Sequence, residues 1–388
     1  MAAAKTLRLF ALAAAGLFLT VGCARAGFGR EPVLIRVALL QGKAQAVIAV
    51  VGTYEMTDAA TGVLLEKGRN LRACAVTATA GGIRIGAREW PRQRLFVKVR
   101  RKGGLHVNKR PYRGDLLIAK DKDGGLLLVN EVDIESYLKG VVVHEISPKW
   151  PLAALKAQAV AARTYAYYQR QVMKEKLYDV TADVSSQVYG GCKAEKGRTN
   201  RAVKFTAGEV LTYDGQVFPA YFHATCGGMT ENAAELWKID IEPLAGGRLC
   251  SFCSRSPHYF WKKIVDMKAL REKLGGRYTL KAEPAALAVK ERNPTGRVRT
   301  LLIKDKAGRT MEISAKDFRQ LMGPDVVRST NFTIAVEQGK VVLSGKGWGH
   351  GVGLCQWGAF AMANEGYTYE KILRFYYPGA TLQRLDAS

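Results

Sequence analysis

The feature that most constrains the fold is an alanine-rich stretch that follows Pro151. Its apolar residues recur at the three- and four-residue spacing of one helix face: Leu155, Ala159, Ala162 and Ala166. Because proline is common in the first turn of a helix, we expect a helix within Tyr137–Gln169. An alanine stripe lets another element approach closely, so we expect the helix to be buried against a sheet, with Lys156 and Arg163 at its edges.

The chain before this helix has the pattern of a β-rich region. Short apolar stretches alternate with glycine and aspartate over residues 33–130. Leu116–Ala119 and Leu126–Val129, for example, flank Asp123-Gly124, and this pattern is typical of a β-hairpin. We therefore expect residues 33–130 to form a β-rich N-terminal part.

The rest of the chain, residues 131–385, mixes helix and strand signals. Strand-like runs occur at Val210–Tyr213, Val217–Phe222, Thr300–Lys304, Met311–Ile313, Phe332–Val336 and Lys340–Leu343. Met267–Ala288 and Lys290–Arg299 are basic and polar, and Asn293-Pro294 with Gly296 predicts a loop. With 48% hydrophobic residues and no internal repeat, the 388-residue chain is expected to fold as a mixed α/β protein of the α+β type.

The first 26 residues have the pattern of an export signal. Lys5 and Arg8 precede the apolar run Leu9–Val21, which is shorter than the roughly 20 residues of a membrane-spanning helix. Cleavage after Ala24-Arg25-Ala26 would release an exported protein into the periplasm or cell envelope. The alternative is a lipid anchor at Cys23, because residues 21–23 form a degenerate lipobox.

The charge of the chain predicts an anionic partner. It has 59 Lys and Arg residues against 34 Asp and Glu, a formal net charge of +25. Nucleic acid, wall polymer and membrane surfaces all attract such a charge. No helix-turn-helix, zinc-finger or RNA-recognition pattern is present, and the export signal argues against nucleic acid. We therefore expect no nucleic-acid partner and attribute the charge to anionic wall polymers or phospholipid surfaces.

Glu145 is the leading candidate for acid–base chemistry. It follows an apolar, strand-like run, Val141–Val143, and precedes the predicted helix, with Pro148 and Trp150 nearby. Such surroundings can exclude water from a carboxyl group and raise its pKa, as a general acid that works near neutral pH requires. The alternative is a solvated glutamate in a strand-to-helix turn, and spacing alone leaves both open.

Three sequence blocks carry a family resemblance. They are YLKGVVVHEISPKWPLAALKAQAVAARTY at Tyr137–Tyr165, QVYGG at Gln187–Gly191 followed by AYFHATCGGMT at Ala220–Thr230, and GKGWGHGVGLCQWGA at Gly345–Ala359. In this order they resemble the SpoIID/LytB family, named after stage II sporulation protein D, over about residues 33 to 385. The resemblance implies a SpoIID-like catalytic region at residues 131–385, with the alanine-rich helix at its centre and a substrate groove.

The resemblance also implies a peptidoglycan lytic transglycosylase with Glu145 as its catalytic acid/base. Ordinary glycoside hydrolysis uses two carboxyl groups, whereas this reaction needs one. Glu145 would protonate the oxygen between N-acetylmuramic acid and N-acetylglucosamine, and the muramic acid 6-hydroxyl would close on C1 to form a 1,6-anhydro sugar.

Family analogy further suggests the substrate and a partner. The substrate would be glycan strands already stripped of stem peptides, and the partner an N-acetylmuramoyl-L-alanine amidase. Because some relatives are described as amidase enhancers, the alternative is a non-catalytic wall-binding protein that stimulates an amidase.

Other polar residues of the matching blocks are candidates for substrate binding. They are Gln158, Arg163, Gln187, Tyr189, His223, Thr230, His350 and Gln356. For His350, a sugar or Glu145 contact and a buried structural role both remain open. The tryptophans at positions 150, 348 and 357 are either stacking platforms for sugar rings or core residues.

The proposed chemistry requires no cofactor, and the zinc site of some family members is expected to be missing here. In those members a Cys and an adjacent His-Cys pair precede the Gln-Val-Tyr block. Thr181, Ser185 and Ser186 occupy the corresponding positions in this chain. Hydroxyl groups are poor zinc ligands.

A different set of residues offers a candidate site for structural zinc. His223-x-x-Cys226 and Cys250-x-x-Cys253 have the spacing of paired zinc ligands, so the three cysteines are candidate ligands with His223 as the fourth. A disulfide from Cys226 to Cys250 or Cys253, or free buried thiols, are the alternatives in an exported protein. Cys355 is expected to be a buried free thiol.

Overall fold

The computed structural model describes residues 32–100, 103–275 and 284–385. The predicted signal segment and the alternative anchor at Cys23 lie outside these residues, so both stay predictions. Residues from Pro32 onward form one unit, and the boundary near residue 130 also stays a prediction. No helix in the described ranges is long and apolar enough to cross a membrane.

The first elements of the described residues are strands that build one large sheet. In order they are β1 (Leu34–Lys43), β2 (Gln45–Asp58), β3 (Leu64–Ala78), β4 (Ile83–Ile85), β5 (Arg88–Trp90), β6 (Arg94–Val99), β7 (Gly104–Val107), β8 (Arg110–Tyr112), β9 (Asp115–Lys120) and β10 (Leu126–Asp133). The sheet order is β11-β1-β10-β9-β6-β2-β3-β4-β5, where β11 is Val180–Thr181, and β7 pairs with β2 and β8. The predicted β-rich N-terminal part is confirmed.

The predicted hairpin is formed by β9 and β10. Leu128 lies opposite Ile118 in an antiparallel register. In the turn between the strands, the Asp121 carboxylate accepts hydrogen bonds from the backbone N–H groups of Asp123 (3.0 Å) and Gly125 (2.7 Å). A short acidic side chain thus satisfies the turn's backbone donors, as is typical of Asx turns.

The apolar run before Glu145 is helical, so its interpretation as strand-like was wrong. Helix α1 spans Ile134–Glu145, and the Asp133 carboxylate caps it by accepting a hydrogen bond from the backbone N–H of Ser136 (2.9 Å). The side chains that it buries share helix spacing: Ile134, Tyr137, Leu138, Val141 and Val142. They join the apolar cluster beneath the large sheet, and this burial outweighs the weak helix propensity of valine.

The predicted alanine-rich helix is α2, Leu152–Val172, and it begins directly after Pro151. Its predicted stripe lies in the same apolar cluster as the large sheet, which confirms burial against a sheet. The opposite face belongs to a second cluster through Ala157, Val160 and Ala161. Alanine on both sides lets structure approach α2 from two directions.

The prediction that Lys156 and Arg163 lie at the edges of α2 is confirmed for Lys156 only. Lys156 is half-buried, and its Nζ lies 5.0 Å from the centre of the Phe205 ring. Arg163 is fully buried, so its predicted exposure was wrong. The reason is an internal partner, Glu135 in the first turn of α1, whose carboxylate it binds.

The chain after α2 forms smaller sheets flanked by helices. Its elements are α3 (Gly197–Phe205), β12 (Glu209–Tyr213), β13 (Gln216–Val217), β14 (Phe222–His223), α4 (Ala234–Trp237), β15 (Phe260–Asp266), α5 (Met267–Gly275), β16 (Pro284–Arg292), β17 (Val298–Asp305), β18 (Thr310–Ser314), α6 (Ala315–Met322), β19 (Phe332–Glu337), β20 (Lys340–Lys346), β21 (Leu354–Cys355), α7 (Gln356–Asn364), α8 (Tyr369–Tyr376) and β22 (Thr381–Arg384). The sheets are β13-β12-β22, β14-β21, β15-β20-β19 and β16-β17-β18.

The mixed α/β class is confirmed, and the strand predictions hold with two corrections. Val217–Phe222 is not one strand, because β13 ends at Val217 and β14 starts at Phe222. The polar stretch after Met267 contains α5 and the start of β16. The loop predicted at Asn293-Pro294 and Gly296 is the turn that joins β16 to β17, where Gly296 has a positive φ of 80°.

Candidate active site

Glu145 is the last residue of α1, where the chain leaves the helix through the extended residue Ile146. Its side chain is half-buried. Exclusion of water raises the pKa of Glu145 to about 7, and a side-chain hydrogen bond with Gln356 opposes the rise because it stabilises the charged form. Near neutral pH the carboxyl group therefore populates both protonation states, as an acid that later acts as a base requires.

Gln158 and Gln356 complete a polar group around Glu145. Gln158 lies in α2, Gln356 is the first residue of α7, and both are buried. The Gln356 amide donates to Oε1 of Gln158 over 3.3 Å. Nε2 of Gln158 is buried and has no hydrogen-bond partner in the described part of the chain. Three helices thus bring together an acid and an unpaired donor, all at positions that the sequence singled out.

Three half-buried aromatic rings lie close to Glu145 and Gln356 in the sequence: Trp150, Trp357 and Phe360. We call these three rings the aromatic wall. Their centroids lie 5.1 Å apart for Trp150 and Trp357, 4.9 Å for Trp150 and Phe360, and 5.3 Å for Trp357 and Phe360. The last two line a cleft of about 510 Å³ that also includes Ser256 and Asn364. Half-exposed rings beside polar groups suit the apolar faces of sugars.

Phe360 was missed in the sequence, although its position three residues after Trp357 on a helix was a usable signal. The third candidate tryptophan, Trp348, lies 4.7 Å from the His258 ring, and the Arg328 guanidinium lies 4.6 Å from its centroid. His258 also contacts Trp357 at 6.3 Å. A histidine therefore links Trp348 to the aromatic wall.

Gln187 and Tyr189 both contact α1. The Tyr137 hydroxyl donates to Oε1 of Gln187 (3.0 Å), and the Tyr189 hydroxyl donates to the Asn130 side chain (3.3 Å). Both candidate residues are buried. A Cβ at Gly140 would lie 2.7 Å from the Tyr189 ring, so glycine is needed for this close approach. The observed contacts therefore fix the position of the helix that carries Glu145.

Arg163 joins α1 to α2 instead of facing a groove. Its Nε and Nη2 donate to the two carboxylate oxygens of Glu135 over 2.8 and 2.7 Å. Nη1 donates to the backbone carbonyl of Glu209 over 3.1 Å. A buried guanidinium with these acceptors holds neighbouring elements together.

The remaining candidates, His223, Thr230 and His350, have internal partners in the described structure. Nδ1 of His223 lies 3.0 Å from the Val352 carbonyl, and burial is the main cause that lowers its pKa to about 3. Nδ1 of His350 accepts from the backbone N–H of Val352 over 3.1 Å, and burial lowers its pKa well below the usual range. The Thr230 hydroxyl accepts from the Arg248 N–H over 3.0 Å. Both histidines are therefore neutral, and substrate binding by the three residues stays a prediction.

Four buried cysteines form a compact cluster, which we call the four-cysteine cluster: Cys226, Cys250, Cys253 and Cys355. All four sulfur atoms lie within 4.8 Å of one another, and none is in a disulfide. This cluster can hold a structural metal ion. Cys355, which sequence analysis treated as a separate thiol, supplies the fourth sulfur. His223, the predicted possible fourth ligand, is not part of this cluster.

Comparison with known proteins places these features in a family. A family model described as Stage II sporulation protein (SpoIID) matches residues 122–213, which contain α1 and α2. The chain is also 30% identical to Stage II sporulation protein D of Bacillus subtilis over 274 residues, 67% of this chain and 77% of that protein. This chain belongs to the SpoIID family.

Other matches extend the SpoIID assignment. The chain is 36% identical to an uncharacterized protein of Brachyspira hyodysenteriae over 280 residues, 72% of this chain and 74% of that protein. It is 32% identical to the Amidase enhancer of Bacillus subtilis over 288 residues, 63% of this chain but only 40% of that longer protein. A second family model, Domain of unknown function (DUF8618), matches residues 252–353. The SpoIID match thus covers Glu145, and the second covers Cys253 but ends before Cys355.

Proposed function

We propose that this chain is a peptidoglycan lytic transglycosylase in which Glu145 acts as general acid and then as general base. The observation that carries the proposal is the half-buried Glu145 carboxyl group, whose pKa of about 7 is set by burial and by the Gln356 hydrogen bond. The SpoIID match over the same segment supports it.

One carboxyl group of this kind suits a reaction that consumes no water. Protonated Glu145 gives its proton to the oxygen between N-acetylmuramic acid and N-acetylglucosamine, and the bond from muramic acid C1 to that oxygen breaks. The 6-oxygen of the same muramic acid then bonds to C1, and its proton passes to the Glu145 carboxylate. The acid is regenerated and a 1,6-anhydro end is formed. Because nucleophile and C1 share one sugar, proximity favours the closure.

The candidate binding residues divide in this proposal by their present contacts. Gln158 and Gln356 contact the glycan near Glu145, since one buried amide donor there is unpaired. The aromatic wall binds the apolar faces of sugar rings. Arg163, Gln187 and Tyr189 hold α1 and α2 in place, since their polar groups already have internal hydrogen-bond partners.

The second candidate function is a non-catalytic wall-binding protein that enhances an amidase. The similarity to the Amidase enhancer of Bacillus subtilis favours it. Under either function the partners are peptidoglycan glycan strands and an N-acetylmuramoyl-L-alanine amidase, and in the enzyme the amidase supplies peptide-stripped strands. The chain acts outside the cytoplasm, in the periplasm or cell envelope, where its net charge of +25 favours anionic polymers.

The proposed reaction uses no cofactor. We propose separately that the four-cysteine cluster holds a structural zinc ion. Four thiolates leave no open coordination position for a substrate. Soft sulfur ligands in a tetrahedral set also favour zinc over magnesium or calcium.

Product analysis tests the proposal. Purified chain is incubated with amidase-stripped peptidoglycan, and the released fragments are analysed by mass spectrometry beside Glu145→Gln. Anhydromuramic ends from the wild type alone are expected. Glu175→Gln is the matched control, since Glu175 is exposed just after the end of α2. Reducing ends would indicate hydrolysis, and binding without either product would favour the amidase-enhancer function.

A further inference from the structure

The four-cysteine cluster joins three distant segments at one point. Cys226 lies shortly after β14, Cys250 directly precedes a short 3-10 helix (Ser251–Arg255) that contains Cys253, and Cys355 ends β21. The sulfurs of Cys226 and Cys253 are 3.4 Å apart. A tetrahedron with zinc–sulfur bonds of about 2.3 Å has edges of about 3.8 Å. The four sulfurs are therefore spaced for a single ion.

Hydrogen-bond donors already surround the sulfurs. The backbone N–H of Cys226 donates to the sulfur of Cys355 over 3.3 Å. The backbone of Gly228 hydrogen-bonds to the sulfur of Cys253, and the Tyr376 hydroxyl lies 3.1 Å from the sulfur of Cys250. Such donors orient thiolate ligands and stabilise their negative charge.

A buried cation balances part of the charge that a metal centre would carry. Four thiolates and one Zn²⁺ have a net charge of −2. Arg297 is buried and donates from Nη2 to the Cys226 carbonyl over 2.6 Å. Its Nε and Nη1 have no hydrogen-bond partner among the described residues, although Nε lies 3.6 Å from a Glu231 carboxylate oxygen. An incompletely paired guanidinium beside the thiols fits an anionic centre.

The cluster is connected directly to the candidate active site. Cys355 precedes Gln356, whose amide hydrogen-bonds to Glu145. The start of α7 also lies against the cluster, because a Cβ at Gly358 would be 2.9 Å from the sulfur of Cys250. The position of the cluster therefore determines where α7 begins.

We infer that the four-cysteine cluster binds one zinc ion and thereby holds Gln356 against Glu145, so that metal loading is a condition for an assembled active site. Gln356 is a contact residue of Glu145, and the cysteines are positioning residues that act through it. The catalytic consequence rests on the proposed function, whereas the metal site and the placement of Gln356 do not.

Metal analysis tests the site itself. The purified chain should contain about one zinc ion per molecule and should bind Co²⁺ with the thiolate-to-metal absorption of four-sulfur coordination. Cys253→Ser and Cys355→Ser should lose the ion. Cys74→Ser, which removes a half-buried thiol from β3, should keep it. Wild-type protein that contains no metal and takes up no Co²⁺ would overturn the inference.

The pKa of Glu145 tests the placement of Gln356 without relying on catalysis. It is measured from the pH dependence of the ¹³C carboxyl resonance, which Glu145→Gln identifies. Gln356→Ala should raise this pKa because the carboxylate loses a donor. Removal of zinc from the wild type with a chelator should raise it in the same direction, as should Cys253→Ser. An unchanged pKa in chelator-treated, zinc-free protein that retains its circular dichroism spectrum would overturn the inference.

The two proposals fail in different ways. A chain that binds zinc and shows the expected pKa changes, but forms no anhydromuramic ends, contradicts the proposed function alone. A chain that cleaves glycan equally well with and without zinc contradicts this inference alone.

Discussion

The two ends of α1 carry one glutamate each, and the surroundings of the two carboxyl groups differ. Glu135, in the first turn, accepts two hydrogen bonds from Arg163 and one from the backbone N–H of Gly208 (2.9 Å). Glu145, at the last residue, has an amide partner and surroundings that raise its pKa to about 7. The helix dipole favours negative charge at the first end and disfavours it at the second. The Glu135 carboxylate, which is paired with the Arg163 guanidinium, stabilises the fold. The Glu145 carboxyl group, whose pKa is set by burial and an amide, is available for proton transfer.

Glu145→Gln gives the largest expected effect. Loss of the proton donor should lower the rate of anhydromuramic end formation by about 10²–10⁴-fold, the usual contribution of general acid–base catalysis. The free energy of unfolding should not fall, because a neutral amide replaces a carboxyl group that burial already disfavours as an anion. Product analysis and urea denaturation measure the two quantities. A variant with wild-type rate would remove Glu145 from the mechanism.

Glu135→Ala should show the opposite pattern. It leaves the buried Arg163 without its carboxylate partner, which costs about 3–5 kcal/mol of stability when one member of a buried pair is removed. The remaining folded protein should still cleave glycan. Urea denaturation and the rate per folded molecule measure the effect, with the exposed Glu175→Gln as control. A loss of less than 1 kcal/mol would show that solvent satisfies Arg163.

The pH dependence of activity and of stability tests the raised pKa that distinguishes Glu145 from Glu135. Because the first step needs protonated Glu145, kcat/KM should fall as pH rises through about 7. The free energy of unfolding should also fall as pH rises. The folded-state pKa of Glu145 lies above its ordinary value, so the stabilising contribution of this group is complete below about pH 4.5 and is lost as pH rises through 7. Glu145→Gln should lack this decline. Denaturation curves at pH 4 and pH 8 for both proteins provide the check.

Replacement of the aromatic wall should give the smallest of these effects. Trp357→Ala should weaken binding of peptide-stripped glycan by about three- to tenfold, since an aromatic contact contributes about 0.5–1.5 kcal/mol. Phe260→Ala is the control, because that ring is 68% exposed on β15 and is not one of the three rings of the wall. Sedimentation binding assays measure the affinity. Equal weakening by both variants would indicate a nonspecific surface effect.

The sequence predicted those parts of the fold that depend on local pattern. The alanine stripe of α2, the β9–β10 hairpin and most later strands were found because spacing and turn residues are local signals. Val141–Val143 were assigned to a strand because branched side chains favour one, and tertiary burial on α1 overrode that preference.

In the candidate site, too, residues within local sequence patterns were found, whereas contacts between residues far apart in the sequence were not. Glu145 and both glutamines lie in blocks that the resemblance marked. Arg163 was placed at a surface because its partner Glu135 is 28 residues away, and no local pattern announces such a pair. The fourth sulfur belongs to Cys355, which is even farther along the sequence from the other three cysteines. The spacings His223-x-x-Cys226 and Cys250-x-x-Cys253 therefore suggested His223 instead.

The parallel pairing of β14 with β21 sets an order of events during folding. It places Phe222 beside Leu354 and His223 beside Cys355, and the Cys226 N–H bonds to a sulfur 129 residues away. Contacts across such a sequence separation form slowly, because a long loop must close first. Gln356 therefore reaches Glu145 only after nearly all of the chain has been synthesised. For a chain proposed to cut the cell's own wall polymer, the candidate active site is therefore incomplete for most of its synthesis.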